Sequence, residues 1–408
     1  MEDRGKRFSA EKRPPWKEYV SRLGIDRWHA LGFRGQGVKV AILDSGFRGY
    51  RDHLGKTLPS RVTARSFRMD GNLEAKNSQH GILCGEIVHA MAPDAELLFA
   101  NWEPDSAEQF LNAVRWARDQ NARVISCSVI SPRWSDGEGG GTVHERLARL
   151  LGNGKDSRDM LCFASAGNVA ERHWSGRFHD DGTGLHEWQP GRTDNFLTPW
   201  GKERVSVELC QQQRASYDII VVDQTTGLEV AYSRMKGQSG TYTQTSRFMP
   251  QAGHRYLVRV RLTAGKPGHF HLFALGSGLE YTTPRGSLCF PGDGPEVLAV
   301  GAVNAAGRRM GYSSCGPNSS RPKPDLVAQV PFPSEWRAQP FGGTSAAAPQ
   351  AAGLAAVCWS HHLDWSADQL RATLLKAAVD LGPPGHDNET GYGLIHLPGE
   401  LLAKRPVR

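Results

Sequence analysis

Short apolar runs rich in β-branched residues, separated by helix-like segments, constrain this chain more than any other feature. Val38-Lys39-Val40-Ala41-Ile42-Leu43 follows a turn at Gly32 to Gly37, and similar runs recur at Leu97 to Ala100, Val124 to Val129, Leu161 to Ala164 and Val297 to Val300. Strands that are apolar throughout must be covered on both faces, whereas a sheet with one wet face alternates along each strand. Helix-like stretches such as Ala107 to Asp119 lie between most of the runs. This alternation predicts an α/β fold with a mostly parallel central sheet covered on both sides, with chemical groups gathered near strand ends and in the adjoining loops.

Between about 170 and 288 the pattern changes. Strand-like segments at Arg204 to Leu209, Tyr217 to Val222, Leu228 to Tyr232 and His254 to Leu262 carry turn residues such as Thr226-Gly227 and Ala252-Gly253 between them, with little helical periodicity. The reading is an inserted antiparallel β-sandwich over 171–287, flanked by the two halves of an α/β domain at 17–170 and 288–398. Residues 1–16, charged and containing Pro14-Pro15, read as an N-terminal arm, and 399–408 as a C-terminal tail. Apolar positions between Trp16 and Leu31 suggest short helices, and an Ala-rich helix begins near Ser345.

The 408 residues suffice for one large core or two moderate ones. No run approaches the ~18 apolar residues of a membrane span, and the charged opening segment has no apolar stretch behind it. A cytoplasmic protein is the expectation, with secretion the alternative if the chain has been trimmed. The net charge of +7 is mild and the basic residues are scattered, so neither nucleic acid nor a membrane is expected as a partner. Seven cysteines, odd in number and without a C-x-x-C pair, argue against a disulfide framework and a zinc knuckle.

Three segments matter together for chemistry. Asp44 ends the Val38 to Leu43 strand, His80-Gly81 opens a small-residue and apolar run, and Ser345 lies between glycines and a run of alanines. A serine hydroxyl is a weak nucleophile unless an imidazole takes its proton, and the imidazole needs a carboxylate to fix its tautomer and stabilise its charged form. At a helix N-terminus the serine also lies near unpaired backbone N–H groups that stabilise an oxyanion. Asn168, at the end of Phe163-Ala164-Ser165-Ala166-Gly167-Asn168, offers an amide donor for the same charge.

Val40-Ala41-Ile42-Leu43-Asp44-Ser45-Gly46, His80-Gly81, Ser165-Ala166-Gly167-Asn168 and Gly343-Thr344-Ser345-Ala346-Ala347-Ala348-Pro349 together resemble the four signature blocks of the subtilisin-like serine proteases, in that family's order of Asp, His and Ser. The resemblance implies a three-layer subtilisin-like fold and a serine endopeptidase acting on protein or peptide substrates. Asp44 would orient His80, His80 would serve as base and then acid, Ser345 would attack, and Asn168 would hold the oxyanion, with no cofactor required for chemistry. The alternative is a catalytically silent peptide-binding scaffold of the same fold.

The resemblance also places Ser128, Val129, Ile130, Ser165, Ala166 and Gly167 along the substrate cleft. Val129-Ile130 stands where the family usually has Leu-Gly, which predicts a reshaped specificity pocket and selected substrates. Cys84, one helical turn after His80, resembles the thiol-dependent branch and is expected to be a packing residue. No residue is assigned as a metal ligand. Structural calcium, common in the family, is left without ligands, and His179-Asp180-Asp181-Gly182 reads as a turn. Asp136 to Gly141 reads as a flexible rim of the cleft, His361-His362 as a packing or solvated pair, and the inserted sandwich as a surface for a protein partner or as a stabilising appendage.

Overall fold

The computed structural model describes residues 17–75, 78–212, 215–234 and 242–403; the predicted arm and the end of the predicted tail lie outside them. Helices α1 (Lys17–Ser21) and α2 (Ile25–Ala30) lead into β1 (Lys39–Leu43) and β2 (Val62–Ser66). There follow α3 (His80–Met91), β3 (Glu96–Asn101), α4 (Ala107–Asp119), β4 (Val124–Cys127), α5 (Thr142–Leu151) and β5 (Leu161–Ser165). After an antiparallel block the pattern resumes with β15 (Val297–Val303), β16 (Leu326–Gln329), α6 (Thr344–His361) and α7 (Ala367–Ala377). The seven strands form one sheet in the order β16-β15-β5-β4-β1-β3-β2. Every pairing in it is parallel.

Burial on both faces explains the apolar strands. Along β1, Val40 and Ile42 enter a core shared with α3 and α6, while Ala41 and Leu43 enter a second core shared with α4 and α5. The strand order reverses around β1, so its C-terminal end opens the crevice where α/β sheets place their chemistry. Two strands escape the apolar-run pattern. The edge strand β2 is half exposed along its length, and β16 is only four residues long. The run expected to continue to Val129 stops pairing at Cys127.

The antiparallel block comprises β6 (His173–Arg177), β7 (Asn195–Pro199), β8 (Val205–Gln211), β9 (Ser216–Asp223), β10 (Leu228–Arg234), β11 (Tyr242–Phe248), β12 (Tyr256–Ala264), β13 (His269–Leu275) and β14 (Ser277–Leu279). One sheet runs β10-β9-β12-β7-β14 and the other β11-β8-β13-β6. Their facing residues, among them Val207, Leu209, Phe270 and Leu272 against Tyr217, Ile219, Val258 and Val260, form a separate core. The opposite face of β13 looks toward the α/β body, where Phe273 packs with Val169, Cys210 and Cys289. All seven cysteines are buried and unpaired.

Two expectations concerning loops and one concerning histidines meet specific contacts. The segment 136–141 is held rather than free: Asp293 accepts from the Gly139 N–H at 3.2 Å and from Ser135, and sits 2.9 Å from His144 Nε2. Asp136 Oδ1 accepts the Glu138 and Gly140 N–H groups at 2.8 and 2.9 Å. In the 179–182 turn, Asp180 and Asp181 direct their oxygens to the backbone N–H groups of Gly182, Thr183, Gly184 and Leu185. His361 packs on Trp28 and Phe33, and His362 stacks on Trp365.

Helices α3 and α6 cross in close contact because Gly353 faces Met91; a Cβ at Gly353 would lie 2.5 Å from Met91 Cβ. Gly353→Ala therefore sets two effects against each other. Helix propensity alone would stabilise by about 1 kcal/mol, whereas overpacking a tight core costs about 1–3 kcal/mol. The expected outcome is a net loss of up to about 2 kcal/mol, read from the urea midpoint at unchanged m-value; a gain would mean that the helices are not in tight contact there.

Candidate active site

β1 ends at Leu43 and delivers Asp44, fully buried, to the C-terminal edge of the sheet. The turn that follows bends sharply under Ala75 and Ser78, and a Cβ at Gly46 would lie 2.6 Å from the Ala75 carbonyl oxygen. Phe47 then stacks on Phe99 and lies flat against Gly81, where a Cβ would meet the ring at 2.4 Å. This glycine lets the first turn of α3 approach the strand end, and His80 at that turn meets the carboxylate.

The imidazole Nδ1 of His80 lies 2.8 Å from both Asp44 Oδ1 and Oδ2. Oδ1 also accepts the Ser45 N–H at 2.7 Å, which fixes the carboxylate plane. Burial alone would lower the pKa of His80, but the charge of Asp44 and its hydrogen bond outweigh burial and raise it above its ordinary 6.5. An ionised carboxylate accepts only, so Nδ1 carries the hydrogen and Nε2 is left with its lone pair. The ring meets Phe341 edge-on at a centroid distance of 5.3 Å.

Ser345 is the second residue of α6, whose N-cap Gly343 has φ 79°, a conformation that favours glycine. Its Oγ donates to the Ser128 carbonyl at 3.4 Å, and Ser128 Oγ returns a bond to the Ser345 carbonyl at 3.1 Å. Asp44 and His80 are thus in direct contact, and the backbone of Ser345 is joined to them through Cys84, whose Sγ is 4.0 Å from His80 Nδ1 and 3.7 Å from the Ser345 carbonyl oxygen. Among the described residues no hydrogen bond links Ser345 Oγ to His80; the hydroxyl faces the Ser128 carbonyl.

Asn168 follows Gly167, whose φ of 105° requires glycine. Its Oδ1 accepts from the Thr344 N–H and hydroxyl, both at 2.9 Å. A backbone N–H can only donate, so the oxygen faces Thr344 and the amide NH₂ points the other way. The role of Thr344 in this orientation was not read from the sequence, although its place beside the nucleophile candidate was the available signal.

The expected cleft residues divide. Gly167 shapes the backbone beside Asn168, and Ser128 touches Ser345, but the side chains of Ser165 and Ala166 are buried in the interior. Val129 and Ile130 are only partly buried; Val129 packs on the α4 core and Ile130 on the cluster containing Phe273 of β13. Cys84 is fully buried beneath the imidazole, and burial, followed by the Asp44 charge, pushes its thiol well above the usual range. Further along α3, buried Glu86 accepts from Ser334 Oγ, the Glu335 N–H and Trp336 Nε1 at 2.8, 2.7 and 3.0 Å.

Among the described residues, clustered His, Cys, Asp and Glu donors occur at Asp44, His80 and Cys84 and at Glu138, His269 and His271. Neither set is the all-oxygen cage that calcium takes. No described helix is long and apolar enough to cross a membrane.

Comparison with known proteins agrees with this architecture. The family model described as the subtilase family matches residues 35–198 and 239–393, well over half of the chain, and its interruption falls within the antiparallel sheets. A subtilisin from Bacillus pumilus is 35% identical over 108 residues, covering 26% of this chain and 38% of that protein. Subtilisin DY from Bacillus licheniformis is 32% identical over 171 residues, covering 42% of this chain. The chain thus spans 38% and 56% of the lengths of these relatives. Among solved structures, the CspB protease of Clostridium perfringens superposes with a TM-score of 0.66 at 16% identity, over 95% of this chain and 99% of that one. A lanthipeptide protease gives 0.52 at 17% identity, over 93% and 92%. The fold is that of the subtilisins, and the chain belongs to the subtilase family.

Proposed function

We propose that this chain is a serine endopeptidase that cleaves selected protein or peptide substrates through an acyl-enzyme on Ser345. The observation that carries the reading is the buried Asp44 carboxylate gripping His80 Nδ1 at 2.8 Å, beside the first turn of α6, which carries Ser345. Rotation of the serine χ1 away from Ser128 presents Oγ to the free Nε2 lone pair, and such bonds commonly tighten only when substrate is bound. As Oγ adds to the substrate carbonyl carbon, its proton passes to Nε2. The carbonyl oxygen becomes an anion that receives hydrogen bonds from Asn168 Nδ2 and the Ser345 N–H, which has no intrahelical partner.

Collapse of the tetrahedral adduct breaks the C–N bond, and the Nε2 proton goes to the departing amine. Water then repeats the sequence on the ester: its proton moves to Nε2, its oxygen adds to the carbonyl, and Ser345 leaves with the proton returned. Asp44 remains ionised throughout and stabilises the transient imidazolium. Cys84 takes no part in proton transfer, since its thiol is buried and its pKa is raised; its place under His80 supports the likeness to the thiol-dependent branch.

Selectivity has a physical basis next to the oxyanion donor. A cavity of about 490 Å³ extends from Asn168 and Gly343 past Tyr312 to Trp200, which follows β7 of the antiparallel sheets. Trp200 is 48% exposed, and the Arg172 guanidinium lies 4.3 Å from the centre of its ring. A substrate chain entering here would meet an aromatic wall supplied by the antiparallel block, so that block would choose substrates as well as cover the body.

Four outcomes test the proposal. A fluorophosphonate probe is expected to label the wild-type protein and spare Ser345→Ala; absence of labelling in folded wild type would favour a peptide-binding scaffold whose serine stays turned toward Ser128. The acidic limb of kcat/KM is expected above pH 6.5, because the raised His80 pKa keeps the base protonated, hence inactive, until the pH climbs past it. In Asp44→Asn burial is left unopposed, so the surviving activity should have its limb displaced to lower pH. Trp200→Ala is expected to lower kcat/KM on the preferred protein by about 5- to 30-fold, equal to about 1–2 kcal/mol. It should leave the rate of labelling by a small fluorophosphonate unchanged, and a proportional loss of both would mean that Trp200 merely supports the fold.

A further inference from the structure

Outside the Asp44 and His80 pair, one cluster brings two imidazoles and a carboxylate together with a third histidine behind them. Strand β13 alternates inward residues with His269 and His271, which therefore share the face turned toward the α/β body. The held loop 136–141 lies against that face. Gly137, at φ 88°, passes so close to the imidazole that a Cβ would stand 2.5 Å from His271 Cδ2, and the next residue, Glu138, brings Oε1 to 3.0 Å from His271 Nε2.

Behind His271 stands His173, fully buried on β6. Its Nδ1 lies 2.7 Å from the Thr283 carbonyl oxygen, and its Nε2 lies 3.0 Å from His271 Nδ1. A carbonyl only accepts, so His173 Nδ1 carries a hydrogen and, in a neutral ring, Nε2 is an acceptor. His271 Nδ1 must then donate, which leaves His271 Nε2 with a lone pair aimed at a carboxylate oxygen. Between a neutral His271 Nε2 and the Glu138 oxygen at 3.0 Å there is room for one cation, either a second proton on the ring or a metal ion. A histidine whose far nitrogen is committed to a buried acceptor, with its near nitrogen free, has the orientation and tautomer of a metal ligand.

We propose that Glu138, His269 and His271 bind a divalent transition-metal ion of the zinc class. The third donor distinguishes a metal from a shared proton: the ligand atoms of all three residues lie within 4.8 Å of one another, and His269 stands at the solvent edge, where an ion can enter. Tetrahedral zinc with bonds of about 2.0–2.2 Å sets its ligand atoms about 3.3–3.6 Å apart. Glu138 and His271 need only part slightly, and rotation of His269 closes the rest. Two imidazoles and one carboxylate suit zinc or cobalt rather than calcium, and three protein ligands leave a fourth position for water. The ion would clip the four-stranded antiparallel sheet to the loop that follows β4. It takes no part in the proposed peptide cleavage, so the site stands or falls independently of that reading.

The test is a cobalt(II) titration of the chelator-treated full chain, followed by visible absorption. One equivalent is expected to bind with the intense bands of tetrahedral cobalt and without thiolate-to-cobalt charge transfer. Glu138→Gln and His271→Ala are expected to abolish those bands, and His173→Phe to weaken binding by about 10- to 100-fold. His269→Gln, a substitution at the solvent edge that leaves the core untouched, serves if the buried variants do not fold, and should weaken binding at least tenfold with unchanged circular dichroism. Absence of stoichiometric binding, or bands retained in His269→Gln at wild-type affinity, would overturn the proposal. So would a charge-transfer band, which would place the metal at Asp44, His80 and Cys84 instead.

Discussion

The close crossing of α3 and α6 is the constraint from which the rest of the site follows. Met91 lies against Gly353, and the first turns of α6 are lined with buried Ala346, Ala347, Ala348, Ala351 and Ala352, so that the two helices pack with little side-chain bulk between them. Larger residues would hold helices at the usual 8–10 Å separation or beyond. Here the approach brings the N-terminus carrying His80 and the N-terminus carrying Ser345 to the same edge of the sheet as Asp44. Cys84 occupies the junction, touching all three residues, and its modest size is what the space admits.

Charge inside this body is tolerated only where geometry offsets desolvation. Glu86 receives three donors from the 334–336 segment, yet burial still raises its pKa, and its carboxylate ties that segment to the helix of His80. Lys323, almost wholly buried, donates to Asp325 at 2.7 Å and to the Val297 carbonyl, while Asp325 also accepts the Ala299 N–H at 2.7 Å. Burial lowers the lysine pKa in spite of the neighbouring carboxylate. Such pairs add little net stability against an apolar replacement, but removing one partner strands a charge at a cost of about 3–5 kcal/mol. They fix β15 and β16 in register below the site.

The antiparallel block is joined to this body through polar and mixed contacts. Asp105 binds Arg133 and Arg247, linking the loop before α4 to β11, and Glu208 on β8 accepts the Arg133 N–H at 3.1 Å. Together with the histidines of β13 and the small apolar patch around Phe273, these contacts leave few degrees of freedom to the segment 128–141. That segment leads directly from the carbonyl that Ser345 now touches, so the position of the block bears on the shape of the cleft.

Much of the architecture was legible in the residues. The strands that gave themselves away are buried on both faces, and the residues of the candidate site sit in short blocks whose chemistry depends on local order: Asp44 at a strand end, His80 and Ser345 at helix starts, Asn168 after a glycine with positive φ. What escaped was whatever depends on neighbours. The strand β2 is half exposed and carries no apolar run, and β13 interleaves histidines, of which His271 looks polar until the loop with Glu138 covers it. By itself the sequence determined which groups are available for chemistry and the elements that carry them, because propensity and periodicity act over a few residues. Only the tertiary structure decided that Asp44 grips His80, that the serine hydroxyl rests on Ser128, and that His173 aims His271 at Glu138, because each of these depends on distances between segments that no local pattern encodes.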